Sequence, residues 1–364
     1  MAEMNGLERL QRVLRREEPD RVPHFEFLVH QKVRNAIKPG LSLEDFYEFM
    51  DADGIGVGDK NNAHRHTVVD EPKRIYRDQW GALVKFSEEA AGIPFEPAIK
   101  SESDWEKYVM PDPDEDWRYD NLRKMVKRFG GERGIFCGVT DVFDIVKESF
   151  LGDVPMFTEM IRNPARVHRM CRAVLDYQLR YVENCRAAGA DLFFINGDYA
   201  VTNGPMVSPK MAAEFFMPYL KPLVTRVHEL GSMCLKHSDG LLWSLFDQII
   251  ETGVDGIHPI DPEAGMDMGE AKAKYGDKIC LLGNVDCGPL LTWGTAAEVR
   301  ETTRECLRKG GKGGGLICMS SNSIHSGVNP ENYLAMVETI HQYGQYPLED
   351  RFDNLVVPGS RKWS

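Results

Sequence analysis

Short runs of apolar and β-branched residues recur along the chain, and stretches with apolar residues at helical spacing separate most of them. Strands that alternate with helices in this way predict βα units and a parallel sheet. Eight such units predict the α/β class and a closed (β/α)₈ (TIM) barrel, whose active site lies at the carboxyl ends of its strands. The eight predicted strands are residues 22–27, 53–57, 134–139, 191–196, 232–237, 254–258, 278–282 and 316–319.

Two segments depart from this alternation. Residues 3–17 predict an amphipathic N-terminal helix, because their apolar residues fall on one stripe. Residues 64–130, after the second strand, predict an insertion over the barrel mouth, with a hairpin at 74–86 and a helix at 116–129. We expect one barrel domain that spans residues 1–364. The other helices are predicted at residues 42–50, 141–188 with an interruption near Pro164, 209–230, 241–252, 267–275, 295–309 and 330–343.

An open, doubly wound sheet is the competing fold. It would carry a glycine-rich phosphate loop after its first strand. The sequence after the first predicted strand is Leu28-Val29-His30-Gln31, which contains no glycine. This loop therefore favours the barrel.

Composition narrows the possible partners. The net charge is −12, and acidic residues are interspersed in the main basic stretch, residues 9–21, so a nucleic-acid partner is not expected. The eight cysteines form no C-x-x-C pair, which fits a reducing compartment. The sequence has no apolar signal segment and no apolar run of bilayer length. We therefore expect a cytoplasmic enzyme that does not bind membranes.

Polar side chains cluster where the predicted strands end. His237 and Asp239 are two residues apart at the end of the fifth strand, and Asp198 follows the fourth. A barrel brings strand ends to one mouth, where imidazole and carboxylate can bind Zn²⁺ with an open coordination position or act as an acid–base pair. Further candidates near other strand ends are Glu26, His258, Asn284, Asn322, Tyr199 and Cys318.

Structural roles are also open for these residues. His237 could be a core histidine that bonds a backbone carbonyl, and Asp239 could cap the following helix. Asp198 could stabilise its own turn. His258 precedes Pro259, which fits a structural role, and Cys318 within a strand fits packing.

Several motifs in combination resemble the uroporphyrinogen decarboxylase superfamily. The motifs are Pro19-Asp20-Arg21-Val22-Pro23, Asn196-Gly197-Asp198, Pro218-Tyr219-Leu220-Lys221, Gly283-Asn284-Val285-Asp286 and Val328-Asn329-Pro330-Glu331-Asn332. The resemblance covers essentially the whole chain outside the insertion. It implies a single (β/α)₈ barrel that is often a homodimer.

The resemblance implies one of two activities. True porphyrinogen decarboxylases carry an arginine-rich loop after the first strand and a histidine after the eighth. Here residues 28–34 contain one arginine, and Asn322 takes the place of the histidine. The other branch moves methyl groups to or from corrinoid proteins or thiols, and its thiol-methylating members bind zinc through His-x-Cys and a later cysteine. His237 matches the histidine, Asp239 replaces the first cysteine, and Cys318 lies four residues before the position of the second.

We therefore expect a methyltransferase that moves a methyl group from a small methylated donor, such as a methoxylated aromatic, to a corrinoid protein. The residues expected to act are His237, Asp239 and Asp198 in catalysis; His237, Asp239 and Cys318 as zinc ligands, with Glu26 or Asp198 as alternatives to Cys318; and Glu26, His258, Asn284, Asn322 and Tyr199 at the substrate.

Two other functions stay open at this point. The first is decarboxylation of a small acid, in which Asp198 and His237 stabilise or deliver a proton and Lys60 or Lys236 holds the carboxylate. The second is non-catalytic binding of a small molecule.

Overall fold

The computed structural model describes residues 3–57, 67–89 and 92–348. The strands in these residues are β1 (Gly54–Val57), β2 (Thr67–Asp70), β3 (Ile75–Arg77), β4 (Leu83–Phe86), β5 (Gly92–Glu96), β6 (Gly134–Thr140), β7 (Leu192–Asn196), β8 (Ala200–Val201), β9 (Gly204–Pro205), β10 (Met233–His237), β11 (Gly256–His258), β12 (Cys280–Val285) and β13 (Leu316–Ser320).

Helices follow most strands of the main sheet. They are α1 (Gly6–Leu14), α2 (Gln31–Ile37), α3 (Leu43–Phe49), α4 (Glu102–Lys107), α5 (Asp120–Phe129), α6 (Val142–Asp144), α7 (Asp153–Arg162), α8 (Pro164–Ala187), α9 (Pro209–Phe215), α10 (Met217–Glu229), α11 (Phe246–Glu251), α12 (Met268–Tyr275), α13 (Pro289–Trp293), α14 (Ala296–Gly310) and α15 (Pro330–Tyr343). The predicted interruption at Pro164 is confirmed, because this proline begins α8. No helix of the described residues is long and apolar enough to span a bilayer.

Seven of the eight predicted barrel strands form one parallel sheet, in the order β1-β6-β7-β10-β11-β12-β13. The order follows the sequence, so each strand of this sheet pairs with the next strand of the same sheet along the chain. At the carboxyl edge, the register places His237 of β10 beside Asn196 of β7 and His258 of β11. The curled sheet therefore brings the ends of three neighbouring strands to one level.

The prediction of a strand at residues 22–27 is wrong. The segment is irregular, although it bonds to both edges of the sheet: Cys318 N donates to Pro23 O at 3.1 Å and Asp53 N donates to His24 O at 2.9 Å. Pro23 has no N–H to donate, and the His24 N–H donates to the Asp53 carboxylate instead of a strand. The described residues therefore do not form a complete eight-stranded barrel.

Alternate residues of the sheet face the interior. An interior cluster contains Phe136, Phe194, Leu235, Leu282 and Met319. The apolar stripe of α1, which lies within the predicted N-terminal helix, joins this cluster and closes the amino end of the sheet near Gly134. The neighbouring residues of each strand face outward, against the helices. Because His237 is two residues after Leu235, it lies on the interior side at the carboxyl end.

The insertion contains an antiparallel sheet in the order β2-β3-β4-β5. The predicted hairpin is confirmed as β3 and β4, and Trp80 between them packs on Tyr177 of α8. Ser326, in the loop after β13, donates to Glu89. One end of the insertion therefore contacts a loop at the carboxyl side of the main sheet. Residues 64–66 and 90–91 of the predicted insertion lie outside the described residues.

Candidate active site

His237 pairs with a second histidine at the carboxyl end of the main sheet. Its Nδ1 lies 2.8 Å from Nδ1 of His258, and the two rings stack with centroids 5.1 Å apart. His258 is buried, and its Nε2 lies 3.3 Å from the carbonyl oxygen of Ser320. The carboxyl ends of β10, β11 and β13 are thus linked through one pair of imidazole rings.

These contacts determine which nitrogen of His237 is free. Burial lowers the pKa of His258 well below its ordinary value, and the nearby His237 adds to this effect, so His258 is neutral and carries one N–H. A carbonyl oxygen can only accept, which places the His258 proton on Nε2 and leaves its Nδ1 as an acceptor. His237 then donates from Nδ1, and in its neutral form its Nε2 carries a lone pair.

Two carboxylates face that nitrogen. Asp198, in the loop after β7, and Asp239, two residues after His237, each place an oxygen 3.7 Å from His237 Nε2. The Asp239 N–H donates to Asp198 Oδ1 at 2.9 Å. Asn322, in the loop after β13, donates to Asp239 Oδ2 at 2.5 Å. With His258, the structure therefore brings together five of the predicted site residues.

This group has the dimensions of a metal site. Ligand atoms of Asp198, His237 and Asp239 lie within 4.8 Å of one another. Two ligands about 2.1 Å from a tetrahedral zinc ion are roughly 3.4 Å apart. The nitrogen–oxygen distances of 3.7 Å are close to this spacing and too long for hydrogen bonds.

One oxygen of the group lacks a partner. Asp239 Oδ1 is buried and has no hydrogen-bond partner among the described residues, an arrangement that proteins rarely tolerate. Burial raises the pKa of Asp239 to about 6, and the charges of Asp198 and Asp261 add to this rise, while His237 and Asn322 oppose it. The site has excess negative charge that a cation would compensate, so its residues fit a zinc ion with three protein ligands and an open fourth position.

A second group of potential metal ligands is already satisfied. His228, Cys234 and Asp255 also have ligand atoms within 4.8 Å of one another. However, the His228 ring lies 2.9 Å from Asp255 Oδ2, which also accepts from Cys234 N at 2.7 Å. A direct histidine–aspartate pair at the amino ends of β10 and β11 accounts for this group.

Cys318 lies on the opposite face of the sheet from the site. Its side chain packs in the outer layer, where its Sγ is 3.8 Å from Sγ of Cys306 on α14. The hydrogen bond to Cys306 and burial both raise the pKa of the Cys318 thiol well above its ordinary value. The predicted zinc ligand therefore cannot reach His237, because residues 317 and 319 occupy the interior positions of this strand.

Tyr199 and Glu26 are also buried away from the cluster. The Tyr199 hydroxyl donates to Asp141 Oδ2 at 2.7 Å, and the whole residue is enclosed. Glu26 accepts from the Ser320 N–H at 2.8 Å, and its Oε2 lies within hydrogen-bond distance of Ser320 Oγ, at 2.6 Å. Neither residue is positioned to touch a substrate at His237.

The remaining predicted substrate contacts, His258 and Asn284, lie in different places. His258 is buried and contacts His237, so it can act on the site only through that ring. Asn284 lines a different cleft of about 330 Å³, together with Asp286 and residues of α12 and α14. Lys60 lies outside the described residues.

Lys236 has a role that its sequence position did not reveal. It was expected to hold a substrate carboxylate in the decarboxylase hypothesis, but it is fully buried on the outer face of β10. Its ammonium group donates to Gly197 O at 2.6 Å and to His237 O at 2.9 Å, and it lies 3.2 Å from Asp141 Oδ2. The sequence signal for this role was a lysine inside a buried strand, because a buried ammonium requires a buried partner.

The family assignment follows from the fold and from this arrangement of strand ends. The family model described as uroporphyrinogen decarboxylase (URO-D) matches residues 77–343, so the chain belongs to this family. The resemblance seen in the sequence is confirmed, and membership indicates an enzyme of this superfamily.

Curated relatives and a solved structure agree with this assignment. The uroporphyrinogen decarboxylase of Thioalkalivibrio sulfidiphilus is 24% identical over 302 residues, which cover 73% of this chain and 76% of the relative. That of Pelodictyon phaeoclathratiforme is 27% identical over 270 residues, which cover 70% and 73%. A methyltransferase from Methanosarcina mazei superimposes with a TM-score of 0.72 at 14% identity, over 94% of this chain and 99% of the other. At that identity the superposition shows the fold.

Proposed function

We propose that this protein is a zinc-dependent methyltransferase that moves a methyl group from a small methylated donor, such as a methoxylated aromatic compound, to a corrinoid carried by a partner protein. One observation carries the proposal: His237 Nε2 and two carboxylates converge, and one of their oxygens is buried without a partner among the described residues. The Methanosarcina structure, which is named a methyltransferase, supports the reaction class.

The donor class is inferred from the ligand set. His237, Asp198 and Asp239 provide nitrogen and oxygen ligands, and the thiol of Cys318 faces the other side of the sheet. Oxygen ligands are less suited than soft thiolates to thiol activation. Zinc bound here would supply a Lewis acid for the ether oxygen of the donor, whose departing phenolate is otherwise a poor leaving group.

Neighbouring residues hold the three ligands in place. His258 accepts from His237 Nδ1 and so keeps Nε2 directed at the carboxylates. Asn322 binds one oxygen of Asp239 and leaves the other oriented into the cluster. Such partners of metal ligands are typical of zinc sites. Below the site, the apolar interior cluster excludes water from the amino side.

An aromatic surface beside the ligands suits an aromatic donor. Phe194 lies 6.0 Å from the His237 ring, and Phe27 stacks on Phe194 at 4.6 Å between centroids. Phe27 is half-buried, and Gly56 leaves room for it, because a Cβ at position 56 would lie 3.0 Å from the Phe27 ring. A donor ring can therefore stack at the exposed part of Phe27.

The transfer balances with a reduced corrinoid as acceptor. The bond between the methyl carbon and the ether oxygen breaks heterolytically. The oxygen would retain the electron pair and gain a proton, and the reduced corrinoid of the partner would supply the pair for the new bond to carbon. The corrinoid protein is therefore the proposed partner, and a homodimer is proposed from the superfamily resemblance.

Decarboxylation of a small acid is the second candidate function. The curated relatives are named uroporphyrinogen decarboxylases, which favours it. Against it, Lys236 is enclosed and paired, and Arg34 in α2 donates to Val29 O. Neither cation is oriented to hold a substrate carboxylate.

Metal analysis separates the two functions. We expect about one zinc ion per chain in the wild type and in His228→Ala, a matched histidine control outside the site, and none in His237→Ala. Incubation with methoxylated aromatics and a reduced corrinoid should release the phenol and methylate the corrinoid in the two zinc-containing proteins. A wild type that binds no zinc, or that releases CO₂ from an acid without metal, would overturn the proposal.

A further inference from the structure

Lys236 joins the two backbone segments that carry the proposed zinc ligands. Its ammonium donates to Gly197 O, the residue before Asp198, and to His237 O, which belongs to a ligand. The accepting carbonyls belong to Gly197, the first residue after β7, and to His237, the last residue of β10, so both lie at the carboxyl ends of neighbouring strands. The buried ammonium of Lys236 therefore bonds, from the outer face of the sheet, to both backbone segments that carry the proposed zinc ligands.

A buried network orients this ammonium. Asp141 Oδ2 lies 3.2 Å from Lys236 Nζ and accepts from the Tyr199 hydroxyl at 2.7 Å. The Tyr199 ring lies under Nζ, at 4.1 Å from its centroid. Asp141 Oδ1 accepts from Phe143 N at 2.9 Å. The lysine is thus held by a carboxylate, a ring and two carbonyls, with no exposure to solvent.

The space behind the site is closely filled. A Cβ on Gly197 would lie 2.5 Å from Asp141 Cβ, so the loop after β7 can approach this network only as glycine. The Tyr199 N–H donates to Ser238 Oγ at 2.9 Å. This bond adds a second link between the loop after β7 and the residue after His237. Contacts on the outer face of the sheet therefore link the segments that carry Asp198 and His237, in addition to the bond from the Asp239 N–H to Asp198 Oδ1.

We propose that Lys236, paired with Asp141, is a positioning residue that sets the separation of Asp198 and His237 and so the geometry of the metal site. The inference rests on the proposed function for its metal, but its contacts exist in the protein alone. A buried ammonium suits this role because it can bond several carbonyls at once, whereas an apolar side chain of similar length can bond none.

The test uses two variants and a matched control. Lys236→Met removes the ammonium but leaves the buried Asp141 carboxylate without its cation, which can prevent folding. The second variant is therefore Lys236→Met/Asp141→Asn, which also removes that charge. Lys272→Met is the control, because Lys272 is a partly buried lysine that donates to the Gly314 carbonyl at the amino end of the sheet. Zinc affinity is measured by competition with a chelator, and site geometry by the visible absorption spectrum of the cobalt-substituted protein.

We expect the folded variants at position 236 to bind zinc roughly 10–100-fold more weakly than the wild type and to show an altered cobalt spectrum. Lys272→Met should keep both wild-type properties. In the metal-free protein, the amides of Tyr199 and Asp239 should exchange hydrogen faster in the variants at position 236.

The outcomes distinguish this inference from the proposed function. Wild-type zinc affinity, cobalt spectrum and amide exchange in the folded double variant would refute the role of Lys236 and leave the metal site intact. A wild type that binds no metal would refute the proposed function, and amide exchange alone would then decide the role of Lys236.

Discussion

Glu26 should be a neutral carboxylic acid at pH 7, so replacing it with glutamine should weaken the pH dependence of stability. The residue is only 2% exposed. Burial raises the pKa of Glu26 to about 8, while the hydrogen bonds from Ser320 oppose the rise. Glutamine reproduces the neutral acid, because its carbonyl oxygen can accept from Ser320 N and its amide can donate to Ser320 Oγ.

The magnitude follows from the difference between the folded and unfolded states. The rise of the pKa from 4.5 to about 8 corresponds to roughly 5 kcal/mol, since one pKa unit is about 1.4 kcal/mol. The folded protein binds this proton more tightly than the unfolded chain. The stabilising contribution is therefore fully present below the unfolded pKa, near pH 4.5, and is lost as the pH rises through about 8.

Urea unfolding at about pH 5, 7 and 9 measures the effect, because the free energy of unfolding extrapolates linearly in denaturant. Relative to Glu26→Gln, the wild type should lose several kcal/mol of stability across this range. Glu270→Gln, the same chemical change in a surface ion pair with Lys274, should follow the wild type. Parallel curves for the wild type and Glu26→Gln would show that Glu26 is ionised when buried and refute the reasoning.

Three further predictions concern the metal site. Asn322→Ala should weaken zinc binding about 10-fold or more in chelator competition, because Asp239 loses the donor that orients it; unchanged affinity would contradict that role. His258→Phe keeps a ring in place but removes the acceptor for His237 Nδ1, so we expect a similar loss of affinity without loss of the fold by circular dichroism. Cys318→Ala should keep the wild-type zinc content and lower the free energy of unfolding by about 1 kcal/mol, whereas a loss of zinc would show that this thiol is a ligand.

Predictions from the sequence succeeded where local pattern decides the outcome. Apolar runs alternating with helical stripes identified seven strands of the main sheet, and polar residues at their ends identified His237, Asp239, Asp198 and Asn322 as a group. The reason is general, since parallel strands place all their carboxyl ends at one edge. Resemblance of short motifs identified the family, which the match over residues 77–343 confirms.

The prediction of the first strand failed for one reason visible in the sequence and one visible only in three dimensions. Residues 22–27 have a strand-like composition, but the His24 N–H donates to a carboxylate and Pro23 has no N–H to donate. The segment occupies the gap between two sheet edges through separate hydrogen bonds to each. Pro23 was a sequence signal against a paired strand, whereas the hydrogen bonds to both sheet edges are decided by the tertiary structure.

The sequence by itself determined where most strands end and which polar residues follow them, although β12 ends at Val285, three residues after the predicted end. Tertiary structure alone decided which face of each strand points inward, and so excluded Cys318 from the site and placed Lys236 behind it. Strands of a parallel sheet are covered on both faces, so apolar residues occupy inward and outward positions alike. The alternation of apolar residues therefore does not show which face of the sheet is the interior. Only the packing of α1 against one face and of the other helices against the opposite face identifies the interior.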